Sequence, residues 1–426
     1  SDVAFLKAVG AALVGDTAQA NALATAAGAS TQAVTGIAEL LRENGSDVVI
    51  VWGEQLSSSA RGEQAITALL QLADQLKLAG TVGAGLLELP ISANSRGLRE
   101  VGVLPVAGPG YSEPAEPGRH AHEIALALVA GDLEAIYLLD TDPYRSLPEA
   151  DLWQQALAGA NTVIAHAHSL TPALEATATV VFPTESYPEK SGTITHPDGR
   201  LQRLRPAIGR VEGVRPEWQL LAELQVRLGN DPRLGTAGEA TAATLAAVSF
   251  YNGINRDEIG GRGVRWQEEP AASAVPASNL ALPSEFGGAP SAPSPNGRLR
   301  LGTFRSLWAS PQVETSPALE FAVATQKIEL SPEDARRMEI AHGEPVQLEH
   351  EGGTVITGTA ELREVVPAGT VYAAAGLRAD SANELERLEP LMVSLSKPPE
   401  PELIAVGAED LEQEDSSDES EGEPAE

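Results

Sequence analysis

Residues 162–202 read TVIAHAHSLTPALEATATVVFPTESYPEKSGTITHPDGRLQ. Two short apolar runs rich in β-branched residues, 162–165 and 179–182, read as buried strands. A polar loop follows, with Glu189, Lys190, Gly192, Thr193, Gly199 and Arg200 at fixed spacing. Adjacent Glu and Lys followed by glycine can make a tight polar corner that receives another stretch of chain.

The pattern extends outward on both sides. Residues 31–43 place Val34, Ile37, Leu40 and Leu41 on one helical face, and Gly45 ends that helix. Residues 47–53 read as a buried strand running into a glycine turn. Residues 62–78 return as a helix with Ile66, Leu69, Leu70, Leu72 and Leu76 on its apolar side. Strand, turn and helix in that order form a βα unit of a parallel sheet. The order repeats as helix 120–130, strand 135–140, helix 149–158 and the strands quoted above, and helix 218–228 closes the region. Right-handed crossovers would give an α/β fold with a doubly wound, mostly parallel sheet.

Residues 1–250 therefore read as the α/β region. The signal fades over 251–296, where 268–296 is rich in Ala, Pro, Ser and Gly and suits a linker or loosely packed covering loop. From 297 to 396 the chain is mostly β. Ser331-Pro332-Glu333-Asp334 carries a helix start, and Gly352-Gly353 separates two alternating runs that make a hairpin. Val346, Leu348 and Val355 are expected to face its core. Residues 409–426 hold ten acids and no base, so 397–426 is expected to be a disordered, solvated tail.

Composition excludes several functions. The chain has no cysteine, so it holds no disulfide, thiolate zinc site or thiolate-bound iron–sulfur cluster. A net charge of −31 disfavours nucleic acid and anionic lipid as partners. No run approaches the roughly 18 apolar residues that would span a bilayer, so direct membrane insertion is not expected.

The individual motifs have modest readings. Trp52-Gly53-Glu54-Gln55 offers one glycine, which suits a strand-to-helix turn better than a phosphate loop. Asp140-Thr141-Asp142-Pro143 ends a strand at the sheet edge where open α/β folds bind ligands, and it also makes a turn set by proline. Two His-Ala-His triplets occur, His120/His122 and His166/His168. The second pair would share a strand face, but no carboxylate is fixed beside either pair by spacing, and no metal site is assigned. No nucleophile–base–orienter set stands out, so no catalytic residue is assigned.

The strand end Ala178-Thr179-Val180-Val181-Phe182-Pro183 and the loop 189–200 resemble a signature of the molybdopterin oxidoreductase superfamily, an "ADVVLP-like" strand followed by "EKxGT…GRxQ". The segment 90–97 with Gly102 is similar to the family's "N-x-x-G…G" loop. Residues 341–346 and 366–371 resemble its dinucleotide-binding barrel. The resemblance covers nearly all of 30–396. It implies two Rossmann-like subdomains in 1–250 and a double-psi-like barrel over 297–396. It also implies vestigial pterin contacts at Asp140, Thr141, Asp142, Glu189, Lys190, Gly192, Thr193, Gly199 and Arg200. Asp140 stands where the family has glycine, and His196-Pro197 where it usually has asparagine.

Within that superfamily the chain looks like the C-terminal half of the large iron–sulfur subunit of bacterial NADH–quinone oxidoreductases. This implies a structural part on the cytoplasmic side of the inner membrane, packed among the other subunits of the peripheral arm. It would shield the path from NADH to quinone. No cluster would be ligated by this segment; 4Fe-4S and 2Fe-2S clusters are expected on the N-terminal part of the parent. Whether a pterin dinucleotide binds is left open. The alternatives are a fragment of a formate-dehydrogenase-like molybdopterin enzyme that binds the dinucleotide, and a free-standing scaffold module.

Overall fold

In the computed structural model, residues 2–59, 61–277, 281–283, 286–288, 296–388 and 391–399 are described. The acidic stretch 409–426 lies outside them. The chain opens with helices Asp2–Leu13, Thr17–Ala27 and Thr31–Glu43. Asp16 and Ser30 cap the second and third by accepting backbone N–H bonds. These helices and Gly62–Gln75 pack around Val9, Leu23, Val34 and Leu72.

Strands β1 (Val49–Gly53) and β2 (Gly85–Leu89) pair in parallel, in register from Val49↔Gly85 to Gly53↔Leu89. A second parallel sheet follows, made of β3 (Ala135–Leu139), β4 (Thr162–Ala167) and β5 (Val180–Pro183) in the order β3-β4-β5. Helices Ala121–Ala130, Ala150–Gly159 and Pro172–Thr177 cover one face of it, burying Leu138, Val163, Ala165, Leu157 and Leu174. The expected α/β class with parallel strands is what the chain forms, with the strands divided between two sheets.

Next come β6 (Gly192–Thr195), β7 (Arg200–Leu204) and β8 (Val264–Arg265), an antiparallel sheet. It corrects the linker reading at the start of 251–296. Phe250, Tyr251, Ile254, Ile259 and Trp266 form a buried cluster with Leu201 and Val248. The Phe250 ring meets Tyr251 edge-on at a centroid separation of 5.1 Å and Trp266 at a tilt, 4.5 Å away. They supply in bulk what the segment lacks in periodicity. Farther on, Phe286 is buried against Gly10, where a Cβ would fall 2.0 Å from its ring. Gln71 Nε2 donates to Pro283 O at 2.5 Å and Lys7 Nζ to Gly288 O at 2.8 Å. This stretch is thereby strapped across the first helices.

The remaining strands are β9 (Leu299–Arg305), β10 (Lys327–Leu330), β11 (Pro345–Glu349), β12 (Val355–Leu362), β13 (Thr370–Ala375) and β14 (Met392–Ser396). They close into the expected barrel, here of six strands in the order β10-β12-β11-β14-β9-β13. The Gln326 amide bridges the closure. It donates to Ala374 O (2.9 Å) and Asp380 O (2.7 Å) and accepts from Ala374 N (2.9 Å). Ser331 caps Pro332–Arg337 as its sequence suggests, accepting from Asp334 N at 3.0 Å.

The hairpin across Gly352-Gly353 forms, but Val355 does not face the core; it is 39% exposed. The register pairs Val355 with Glu349 and Ile356 with Leu348, so Ile356 and Ala360 point inward with Val346 and Leu348. One residue of register decides which face is buried. No helix among the described residues is long and apolar enough to cross a membrane.

Candidate functional site

The C-terminal edge of the β3-β4-β5 sheet meets the barrel, and polar side chains converge there. Asp140 follows β3 with φ +50°, in the left-handed region that glycine favours and Asp tolerates. Its N–H donates to His166 O at 2.9 Å. Its carboxylate takes His168 Nδ1 at 2.6 Å on one oxygen and Lys190 Nζ at 3.1 Å on the other. Lys190 also lies 3.6 Å from Glu217, which opens helix Glu217–Arg227. On the far side of His168, Nε2 contacts the amide of Gln312, carried by the barrel region.

His166 is fully buried at the end of β4, and its Nε2 hydrogen-bonds Tyr137 Oη at 2.7 Å. The two histidines thus point to different partners. His168 lies just past β4, where the strand alternation no longer holds. Among the described residues, no group of three or more His, Cys, Asp or Glu is placed to hold a metal ion.

Charge coupling sets the protonation states. Burial would raise the Asp140 carboxyl, but the His168 hydrogen bond and the Lys190 charge outweigh it and hold the pKa at about 2. The bond to Asp140 in turn raises His168, against burial. Burial lowers His166 and raises Glu217. Lys190 is raised although burial opposes it, because Asp140 and Glu217 face it.

The linkage signs follow from these shifts. Asp140 is depressed, so its contribution is present above its ordinary 3.8 and lost as pH falls toward about 2. His168 is raised, so its contribution is full below 6.5 and lost as pH rises through the elevated value. The pair therefore stabilises most between those limits. Asp140→Asn, which tolerates the same backbone, should lower the melting temperature most near pH 5, progressively less as pH rises and His168 gives up its proton, and least as pH falls through about 2. A uniform decrement across that range would contradict the coupling.

The other residues singled out from sequence fall into four groups. Thr141 Oγ1 contacts Ser146 Oγ at 3.3 Å. Asp142 caps Pro143–Ser146 through Tyr144 N at 3.0 Å and accepts Thr171 Oγ1 at 2.6 Å. Glu189 turns into its own loop, accepting from Ser186 N (2.8 Å), Ser186 Oγ (2.6 Å) and Val211 N (3.1 Å). Those hydrogen bonds hold its carboxyl below the usual range.

Gly192 and Thr193 line a separate cavity beside Arg203. Gly199, at φ +84°, and Arg200 make the β6–β7 turn, with Gln267, Asp198 and Arg262 as neighbours. Only Asp140, Thr141, Asp142 and Lys190 gather at the sheet edge. Sequence reading missed Glu217 and Gln312 there, because each arrives from a separate element without a local motif.

The edge is also clamped to the barrel. Arg145 makes a bidentate pair with Glu314, at 2.8 and 2.7 Å, and donates to Gly376 O at 2.6 Å. Arg305 donates to Ser146 O (2.9 Å), Asn383 Nδ2 to Leu147 O (3.2 Å) and Glu149 N to Glu386 O (3.1 Å). A dinucleotide diphosphate brought to this edge would face the carboxylates of Asp140 and Glu217. Lys190 and His168 are the facing cations, and Arg145 is committed to Glu314. Like charge at this spacing repels, so these residues do not fit that group.

Comparison with known proteins places this architecture. Residues 9–227 match the molybdopterin oxidoreductase family, and 299–395 match the molydopterin dinucleotide binding domain. The NADPH-Fe(3+) oxidoreductase subunit alpha of Geobacter sulfurreducens is 28% identical over 85% of this chain and 44% of its own length. An NADH-quinone oxidoreductase subunit of Rhizobium meliloti is 25% identical over 85% of this chain and 43% of its own. Formate dehydrogenase H of Escherichia coli is 22% identical over 85% and 55%. The chain thus spans about half the length of these relatives. Acetylene hydratase from Pelobacter acetylenicus shares the fold at a TM-score of 0.64 and 12% identity, over 93% of this chain and 70% of its own. Family match, parallel sheets and closed barrel agree: the chain belongs to the molybdopterin oxidoreductase family.

Proposed function

We propose that this chain is the structural C-terminal part of the large iron–sulfur subunit of an NADH–quinone oxidoreductase. In this reading it packs beside the electron path from NADH to quinone and keeps solvent from it. Burial also tunes cluster potentials, so a rigid cover has a redox consequence without supplying a ligand. The carrying observation is the Asp140–His168–Lys190 cross-link with Gln312 at the sheet edge. At the strand C-terminal edge where open α/β sheets take ligands, this chain ties its sheet to its barrel, and the lining charge opposes a dinucleotide diphosphate. The alignment with the Rhizobium meliloti NADH-quinone oxidoreductase subunit over 85% of the chain supports the same reading.

The rival reading is a fragment of a formate-dehydrogenase-like enzyme, favoured by the match of 299–395 to a dinucleotide-binding domain. A pull-down of the tagged parent protein from mild-detergent-solubilised membranes, with partners identified by mass spectrometry, separates the two. Recovery with flavin- and cluster-bearing NADH dehydrogenase subunits and quinone-reducing membrane subunits is expected. Recovery with formate-type partners, and molybdenum in the eluate, would overturn the proposal.

A further inference from the structure

The charge of this chain is unevenly distributed. Residues 200–265 carry ten arginines against seven carboxylates, within a protein of net charge −31. Two of those arginines, Arg203 and Arg256, line one cavity of about 320 Å³ together with Ser191, Thr193 and Gly238. Thr193 and Arg203 are register partners across β6 and β7, so they stand side by side on one face.

Arg256 reaches the cavity over Gly238, the second residue of helix Ala237–Ala247. A Cβ at Gly238 would lie 2.0 Å from Arg256 Nη1. Gly238 is not in the left-handed region, so its backbone does not require glycine. Glycine inside a helix is worse than alanine by about 1 kcal/mol. What it provides here is the seat for the guanidinium.

Among the described residues, neither guanidinium has a hydrogen-bond or carboxylate partner, and the hydroxyls of Ser191 and Thr193 have none either. The helix N-terminus is not the attraction. Thr236 Oγ1 already accepts Glu239 N at 3.2 Å, and Glu239 accepts Gly235 N at 2.8 Å. A second cavity of about 500 Å³ shares Ser191 and Ala237 with the first and adds Ile208, Arg210 and Trp218.

We infer that the Arg203–Arg256 cavity binds the phosphate group of a small phosphate monoester, whose organic part extends past Ser191 toward Trp218. Two guanidiniums and two hydroxyl donors answer a group with about −1.5 to −2 charge and three terminal acceptor oxygens. Guanidinium is suited to this because its planar fork can donate two parallel bonds to one phosphate. The volume falls in the range of about 300–1,000 Å³ typical of small-molecule sites.

The test is calorimetric titration of the purified protein, in phosphate-free buffer at fixed ionic strength, with inorganic phosphate, phenyl phosphate and succinate. Saturable binding is expected, with phenyl phosphate tighter than inorganic phosphate and succinate weakest. Arg203→Ala and Arg256→Ala should each weaken phenyl phosphate roughly tenfold or more. Gly238→Ala, which displaces Arg256, should do the same. Both arginines are exposed, so these two variants should keep the wild-type circular dichroism and melting temperature. Absence of saturable binding, wild-type affinity in both arginine variants, or succinate binding as tightly as phosphate would each overturn the assignment.

Discussion

Glu100→Ala is expected to destabilise the protein by about 3–5 kcal/mol, the range for removing one partner of a buried ion pair. The Glu100 side chain is 1% exposed and is held on three sides. Arg96 Nε donates at 2.8 Å, Trp266 Nε1 at 3.1 Å, and Tyr251 Oη makes a short bond to the second oxygen. Arg96 also lies 5.6 Å from the Trp266 ring centroid, in cation–π range. Burial and the neighbouring carboxylate push the Tyr251 phenol far up, so it remains a donor at all ordinary pH values.

Truncation at Glu100 would leave Trp266 Nε1 buried without an acceptor and Tyr251 Oη with only its 3.4 Å contact to Thr195 Oγ1. It would also loosen the hold between the 94–100 segment and the β6–β8 sheet, which Asn94 reinforces by accepting Thr195 N at 2.9 Å. Urea denaturation followed by circular dichroism measures the loss. Glu100→Gln, which keeps an acceptor, should fall between wild type and alanine. A loss under about 1 kcal/mol for alanine would show that the carboxylate is not what holds these three segments together.

The second large effect is expected at the joint between sheet and barrel. The side chains of Arg145 and Glu314 are 10% and 6% exposed, so each depends on the other for its solvation. Arg145→Ala should cost about 3–5 kcal/mol, because Glu314 would be left as a nearly buried, unpaired charge. Glu314→Ala should be milder, since Arg145 keeps its bond to Gly376 O. Replacing the pair by Met and Leu should recover much of the loss, as hydrophobic substitutes for buried pairs often do. A double-mutant cycle gives the coupling; a value near zero would mean the barrel is held by its other contacts alone. Limited proteolysis should report the same ranking, with cleavage fastest in Arg145→Ala.

What the sequence makes legible is what local pattern controls. The strand at 47–53, the strands within 162–182 and the Gly352-Gly353 hairpin each follow from short apolar runs bounded by turn residues. Strand β2 is not legible in this way, because Gly80 and Gly83 precede it and Gly85 opens it, all with positive φ, and the run reads as continuing loop. The aromatic core of Tyr251 and Trp266 escapes for a related reason: its order comes from ring packing and from Glu100, 151 and 166 residues away.

The site divides in the same manner. Asp140 and Lys190 stand out by motif. The partners that decide their chemistry, Glu217 and Gln312, come from elements whose position depends on the whole fold, Gln312 lying 144 residues from His168. Even the departure from family pattern at Asp140 has a local cause that sequence alone does not display. Its φ of +50° explains why glycine suits the position and why an acidic residue can still occupy it.

The strap that seats Phe286 on Gly10 has a consequence for biosynthesis. Lys7 and Gly288, which it joins, are 281 residues apart. At about 5–20 residues per second, the first helices leave the ribosome roughly 15–60 s before the ring that covers them. During that interval the Gly10 groove is an open apolar slot on an already translated helical unit. The first helices therefore complete their packing only when this stretch arrives, so truncation before Pro283 would leave their small-residue face uncovered.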